Sequence, residues 1–66
     1  MVQKIIEIVG VSNKSFAKAA DNAIEVAAKT VRGMKWGRVT EMECKIENDM
    51  VVEYRVLMRL YFDVES

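Results

Sequence analysis

The sequence predicts an α+β domain in which three antiparallel strands pack against one helix, in the order β-α-β-β. Three features predict it: an opening segment rich in isoleucine and valine, a long amphipathic segment, and two strand-like segments joined by Asn48-Asp49. We expect residues 1–66 to form a single domain. Because so short a chain buries little of its surface and its one cysteine, Cys44, has no internal disulfide partner, we expect oligomerisation to complete the core.

The charge balance and the lengths of the apolar runs exclude several classes of function. Ten basic and ten acidic residues give a formal net charge of zero, so no positive field favours nucleic acid as a partner. No apolar run approaches the ~20 residues that cross a bilayer, and charges interrupt the N-terminal segment too early for a signal peptide. We therefore expect a cytoplasmic protein with no nucleic acid and no membrane as a partner.

The opening segment, residues 2–11, predicts a strand with one well-buried face. Ile6 and Ile8 share one parity and are the expected inward pair. Gly10 is expected to break the strand. Ser12 is the expected N-cap of the following helix, because its hydroxyl can accept a hydrogen bond from an amide of the first turn.

Residues 13–32 have the apolar spacing of an amphipathic helix, and Gly33 can end it in the left-handed conformation. Small side chains on the buried stripe would let the helix approach the sheet closely. The stripe consists of Phe16, Ala20, Ala23, Ile24, Ala27, Ala28 and Val31.

Residues 36–47 and Met50–Val64 predict two strands of a hairpin, because the Asn48-Asp49 pair between them tolerates positive φ. A three-residue loop, 47–49, would place Glu41 opposite Arg55, and the apolar pairs would be Ile46 with Met50, Cys44 with Val52 and Met42 with Tyr54. A two-residue loop would place Met42 opposite Arg55. We favour the first register because it pairs acid with base and apolar with apolar, although a bulge would shift it.

The third strand has two different faces. Alternate residues form a continuous apolar row that should pack on the helix: Tyr54, Val56, Met58, Leu60, Phe62 and Val64. The other row carries Leu57 and Tyr61 among charged residues, a mixture that is typical of a subunit interface.

The turn from helix to sheet, Gly33-Met34-Lys35-Trp36-Gly37-Arg38, holds the only tryptophan and is the candidate binding site. Gly37 has no side chain to cover one side of the indole. The structural interpretation is that Trp36 anchors a core or an interface between proteins. In the functional interpretation, its open aromatic face binds a ligand.

Several strings, taken in order, resemble the dodecin family of small flavin-binding proteins. They are Glu7-Ile8-Val9-Gly10-Val11-Ser12, the alanine-rich helix, Lys35-Trp36-Gly37-Arg38-Val39, and Glu53-Tyr54-Arg55-Val56 with the later Phe62. The resemblance covers essentially the whole chain. It implies a sheet that wraps around the single helix and twelve identical subunits assembled as a hollow homododecamer.

The resemblance also implies a site. In dodecins the tryptophan at the position of Trp36 stacks on the flavin isoalloxazine, and symmetry brings two indoles around a pair of flavins. Riboflavin, FMN or a smaller flavin fragment is then the expected non-covalent cofactor, which the protein stores or sequesters. Lys35, Gly37 and Arg38 are the expected neighbours of the flavin; Lys35 and Arg38 can attract the FMN phosphate, whereas Glu43 would repel it.

Arg55 departs from the family pattern, which has glutamine at this position. A glutamine amide both donates to and accepts from the pyrimidine edge of a flavin, whereas arginine only donates. Arg55 therefore either contacts the flavin with a less complete set of hydrogen bonds or pairs with Glu41 across the hairpin. If the flavin is lost, the alternative is a dodecin-like shell that is structural or binds another small ligand or a metal ion.

No catalytic constellation is present, because histidine is absent and Cys44 has no evident activating base. We therefore predict no enzyme activity. Glu41, Glu43 and Glu47 alternate on one strand face and can offer oxygen ligands, but a solvated face is the simpler interpretation and we predict no metal site. A third hypothesis is an interaction module in which Trp36 is a binding hot spot.

Overall fold

The computed structural model describes residues 1–64 and confirms the β-α-β-β order. Strand β1 (Val2–Ser12) is followed by helix α1 (Phe16–Ala27), strand β2 (Met34–Glu47) and strand β3 (Met50–Val64). The sheet has the order β1-β3-β2, and both pairings are antiparallel. The last strand is therefore central, and β1 and β2 are the two edges.

The prediction that strand β1 breaks at Gly10 is wrong. The strand pairs with β3 without interruption as far as Ser12. The reason for a glycine is the close approach of α1. A Cβ at Gly10 would overlap the carbonyl oxygen of Ala19 and would lie 2.9 Å from the Cβ of Ala23. The small residues of the helix and this glycine together bring the two backbones into contact.

The helix begins later than predicted, and Ser15 is its N-cap in place of Ser12. The Ser15 hydroxyl accepts a hydrogen bond from the Lys18 amide at 2.9 Å. Ser12 is buried, and its hydroxyl accepts from the Lys14 amide at 2.9 Å. Both serines therefore make turn-forming bonds, but Ser12 is the last residue of β1, whereas Ser15 directly precedes Phe16, the first helical residue.

The helix also ends earlier than predicted, at Ala27 instead of Arg32. The amides of Thr30 and Val31 both donate to the Ala27 carbonyl, which closes a turn after the last helical residue. Gly33 has the predicted left-handed φ of 76°, but its carbonyl accepts from the Asp63 amide, so it belongs to the connection with the sheet. The β-branched residues at 30 and 31 favour this early end.

A small core lies between α1 and the sheet. Its fully buried apolar members are Ala19, Ala23, Ala27, Val56, Met58 and Leu60. Ile6, Ile8, Phe16, Ala20 and Met34 pack around them. The predicted stripe is confirmed for its alanines at 20, 23 and 27, but Ile24 and Ala28 are exposed and Ala19, which the prediction omitted, is fully buried.

The hairpin has a two-residue turn, and neither predicted register is correct along its length. Asn48 and Asp49 have φ values of 53° and 60°, as a type I′ turn requires. A bulge between Lys45 and Ile46 then shifts the pairing so that Cys44 lies opposite Tyr54. Further shifts occur between Val39 and Glu41 and between Met34 and Trp36. A bulge was the irregularity expected to shift the predicted register.

The register divides the sheet into two faces. We call the face that packs on α1 the inner face; on β3 it carries Val56, Met58 and Leu60. The opposite, outer face carries the alternate residues of β3 and their cross-strand partners. Its triplets across β1, β3 and β2 are Ile5-Tyr61-Trp36, Glu7-Arg59-Arg38, Val9-Leu57-Glu41 and Val11-Arg55-Glu43.

The isolated subunit is extended and leaves much apolar surface uncovered. Its accessible surface is 5065 Å², whereas a compact monomer of this mass exposes about 4,250 Å². Its radius of gyration is 13.6 Å, against about 11 Å for a compact chain of this length. The hairpin carries many of the exposed apolar side chains, including Met42, Ile46, Met50 and Val51. The subunit alone therefore lacks partners for its hairpin.

Candidate functional site

Trp36 lies at the start of β2, an edge strand, with its side chain 69% exposed. Its cross-strand partner is Tyr61 of β3, whose own partner on β1 is Ile5. An aromatic and aliphatic ladder therefore crosses the outer face at this end of the sheet. The indole is not part of the subunit core, so the interpretation of Trp36 as a core anchor is wrong for the single chain.

Beside the indole is a hollow of about 190 Å³. It is lined by Ile24, Met34, Lys35, Trp36, Gly37 and Leu60. A pocket that encloses a drug-sized ligand has about 300–1,000 Å³. The hollow of one subunit is therefore only part of a site for a ligand as large as a three-ring flavin.

Gly37 belongs to the inner row, because it lies opposite Leu60. A Cβ at this position would be 3.3 Å from the terminal methyl of Met58 and 3.5 Å from a methyl of Leu60. The missing side chain would thus point toward the core and not over the indole, contrary to the reason first given for this glycine. Its effect is to keep the hollow beside Trp36 open.

Lys35 and Arg38 flank the tryptophan, and both are exposed. Lys35 lies in the irregular pairing between Met34 and Trp36 and borders the hollow. Arg38 lies opposite Arg59 on the outer face. The structure therefore brings four predicted site residues together at one end of the sheet: Lys35, Trp36, Gly37 and Arg38.

Arg55 lies far from this group within one subunit. It lies six positions along β3 from Tyr61, the partner of Trp36, which corresponds to about 20 Å along a strand. The predicted pairing with Glu41 is also wrong, because the bulge places Glu43 opposite Arg55 and Leu57 opposite Glu41. Arg55 and Trp36 share the outer face, but they can meet at one ligand only if they come from different subunits.

Arg55 borders a second hollow at the far end of the sheet, with a volume of about 300 Å³. The other lining residues are Glu43, Cys44, Lys45 and Glu53. Cys44 is exposed in the subunit, although the favoured register counted it among the apolar pairs. The reason is that α1 packs on β1 and β3, so it leaves the inner row of β2 uncovered here.

Two residues near Trp36 were missed by sequence reasoning as site residues: Tyr61 and Arg59. Extended to the start of β2, the favoured register would have placed Trp36 opposite Leu60. The two-residue turn places it opposite Tyr61 and places Arg38 opposite Arg59, because the shifts at Lys45/Ile46 and Val39/Glu41 offset each other. The alternation of β3 did place Tyr61 and Arg59 in the outer row, but only the register shows which residues of β2 they neighbour.

Within residues 1–64, no group of three or more histidine, cysteine, aspartate or glutamate side chains is close enough to hold a metal ion. A register shift between Lys45 and Ile46 interrupts the row of Glu41, Glu43 and Glu47. The Nζ atom of Lys45 lies 3.5 Å from Oε2 of Glu47, so that carboxylate forms an ion pair. No helix in the same range has the length and apolar character that crossing a bilayer requires.

Comparison with known proteins identifies close relatives over nearly the whole chain. The dodecin of Thermus thermophilus is 34% identical over 65 residues, which cover 98% of this chain and 94% of that protein. The calcium dodecin of Mycobacterium tuberculosis is 30% identical over 61 residues, which cover 92% and 86% of the two chains.

Solved structures show the same fold. The T. thermophilus protein superposes with a TM-score of 0.93 at 34% identity, covering 98% of this chain and 96% of that chain. The dodecin from Streptomyces coelicolor gives a TM-score of 0.93 at 31% identity, with coverages of 98% and 93%. The family model described as Dodecin matches residues 2–65. This match and the common fold show that the chain belongs to the dodecin family.

Proposed function

We propose that this chain is one subunit of a homododecameric shell that binds a flavin and stores it without catalysing a reaction. The flavin, riboflavin or FMN, stacks non-covalently on Trp36 between symmetry-related subunits. The observation that carries this proposal is the indole of Trp36, which is 69% exposed on an edge strand and borders an open hollow. A flat aromatic ring gains stacking energy on such a surface.

The incomplete subunit supports a shell in which sites form between copies. One hollow of about 190 Å³ is too small to enclose a flavin, and a second copy can supply the opposite wall. Arg55 can then contact a flavin held on the Trp36 of another subunit, although the two residues are about 20 Å apart along their own sheet. We place this shell in the cytoplasm, with no nucleic acid and no membrane as partners.

The test is a fluorescence titration of riboflavin with the apoprotein. Because an indole stacked on an excited flavin quenches it, we expect quenching at micromolar protein. The Trp36→Ala variant should weaken binding by about 10- to 100-fold, because loss of one aromatic stacking contact costs about 1–3 kcal/mol. Trp36→Phe is the matched control and should retain part of the affinity.

Two results would contradict the proposal. One is the absence of quenching by the wild-type protein, and the other is an unchanged affinity in Trp36→Ala. Gel filtration of all three proteins provides a further check, since elution near twelve subunits supports the shell and a monomer or dimer supports a small interaction module. Because the indole is exposed in the subunit, the variants should fold as the wild type does.

The alternative is a shell that binds calcium instead of a flavin. It is favoured by the 30% identity to a protein named calcium dodecin. The arginine at position 55 also favours it, because arginine only donates and so matches the flavin edge less well than glutamine. Since no cluster of metal-binding side chains lies within residues 1–64 of one subunit, a calcium site would need residues from several copies. Calorimetric titration with calcium tests this alternative directly: heat of binding in a protein that fails to quench riboflavin would support it.

A further inference from the structure

Arg38 and Arg59 are direct cross-strand partners on the outer face. Like charges placed directly opposite each other on a sheet destabilise the pairing. Both side chains are exposed, and within residues 1–64 neither has a carboxylate within 4.0 Å. The two guanidinium groups thus form a positive pair that the subunit itself does not neutralise by a close ion pair.

The carboxylates that face this pair are few. Glu7 of β1 lies opposite Arg59 and offsets one of the two positive charges, and Glu41 is the next outer residue along β2. Arg38 lies on the sheet edge, so no further strand brings a carboxylate to its other side. The bulge beside it is fixed by a hydrogen bond from the Thr40 hydroxyl to the Leu57 carbonyl at 3.2 Å. Within one subunit, a residual positive charge therefore remains at the edge of β2.

The aromatic pair of the candidate site lies next to these arginines. Trp36 and Tyr61 are cross-strand partners two residues away on the same face, a separation of about 7 Å along the strands. In FMN a five-carbon ribityl chain joins the ring to the phosphate, and such a chain can span this separation. Guanidinium groups bind phosphate oxygens in a two-pronged geometry that lysine cannot reproduce.

We propose that Arg38 and Arg59 together bind the phosphate of a phosphorylated flavin whose ring stacks on Trp36. This proposal rests on the proposed function and narrows its ligand from flavins in general to FMN. Arg59, which sequence reasoning did not include in the site, becomes a residue that determines specificity. The phosphate would lie between two positive charges and would remove their mutual repulsion.

The experiment compares the affinities of FMN and riboflavin, measured by flavin fluorescence at low ionic strength. We expect the wild type to bind FMN at least about tenfold more tightly, since each charge-assisted hydrogen bond contributes about 1.5–3 kcal/mol. Arg38→Gln and Arg59→Gln should each reduce this preference, and the double variant should remove it. The affinity for riboflavin should fall much less than the affinity for FMN in each variant, and added salt should reduce the FMN preference.

Lys18→Gln is the matched control, because it removes one exposed positive charge in the first turn of α1, away from the sheet edge. Its FMN preference should equal that of the wild type. Equal binding of both flavins by the wild type, or a preference that survives in the double variant, would overturn the role of the arginine pair and leave flavin storage intact. If neither flavin binds, both proposals fail together.

Discussion

The two faces of the sheet differ in what the single chain does with them. On the inner face, Val56, Met58 and Leu60 are almost fully buried against the alanines of α1. On the outer face, Leu57 and Tyr61 are half-buried and alternate with the exposed Arg55 and Arg59. The residues alternate along one strand, so the difference arises from what covers each face and not from the local backbone.

The inner face therefore contributes most of the stability of the subunit, and the outer face carries the side chains that are available for binding. The inner face uses small residues and one glycine to bring helix and strand together, which leaves a core of only six buried apolar residues. The outer face keeps aromatic and charged side chains accessible. Substitutions on the inner face should therefore change the free energy of unfolding, whereas those on the outer face should change ligand binding or assembly.

The largest expected effect is that of Leu60→Ala on the inner face. Leu60 is 1% exposed, and such truncations in a core cost about 2–5 kcal/mol, because apolar contacts are lost and a cavity remains. Leu57→Ala on the outer face is the matched control and should cost less than about 1.5 kcal/mol. Urea denaturation at one fixed protein concentration measures both. Equal losses would show that the outer face is as well packed as the core.

A second prediction compares two glycines of the sheet. Gly10→Ala should destabilise the protein by about 3 kcal/mol, because the new methyl group would overlap backbone atoms of Ala19 that cannot move alone. Gly37→Ala should cost less than about 1 kcal/mol, since the nearest atom, 3.3 Å away, is the flexible end of Met58. Thermal denaturation of both variants checks this. A tolerated alanine at position 10 would contradict the close approach of α1.

The smallest expected effect lies on the outer face, at Arg55. Arg55→Gln should tighten riboflavin binding by about tenfold, because the amide can both donate and accept at the flavin edge, and should leave the urea midpoint unchanged. The expected gain corresponds to about 1.4 kcal/mol. Fluorescence titration measures it, with Arg55→Ala as the control that removes the guanidinium without adding an amide. An identical affinity in all three proteins would show that residue 55 does not contact the flavin.

The order of the elements could be predicted because each depends on local features of the sequence. The apolar row of β3 and the Asn48-Asp49 turn were both confirmed, since alternation and tolerance of positive φ are properties of the residues themselves. The end of α1 could not be predicted. It depends on the turn in which the amides of Thr30 and Val31 donate to the Ala27 carbonyl, and the apolar spacing of the sequence, which continues past Ala27, does not reveal that turn.

The candidate site was predicted less completely than the fold. The string from Lys35 to Arg38 stays together because it is contiguous, and Trp36 is exposed, while its role in binding stays a prediction. Arg59 and Tyr61 were missed as neighbours of the tryptophan because the favoured three-residue loop gave the wrong register. The two-residue turn, with two bulges that offset each other, places these residues opposite Arg38 and Trp36. The role of Arg55 depends on contacts between subunits, which a single chain does not contain.

The distance of about 20 Å along the sheet between Trp36 and Arg55 has a thermodynamic consequence. If both residues bind one flavin, the complete pocket exists only while the subunits are associated. Dilution that dissociates the particle would then release its cargo, and saturation with flavin would in turn hold the particle together. The apparent affinity for flavin and the resistance of the particle to dissociation into subunits would increase together and decrease together. The concentration of the protein itself would therefore regulate how much flavin remains free.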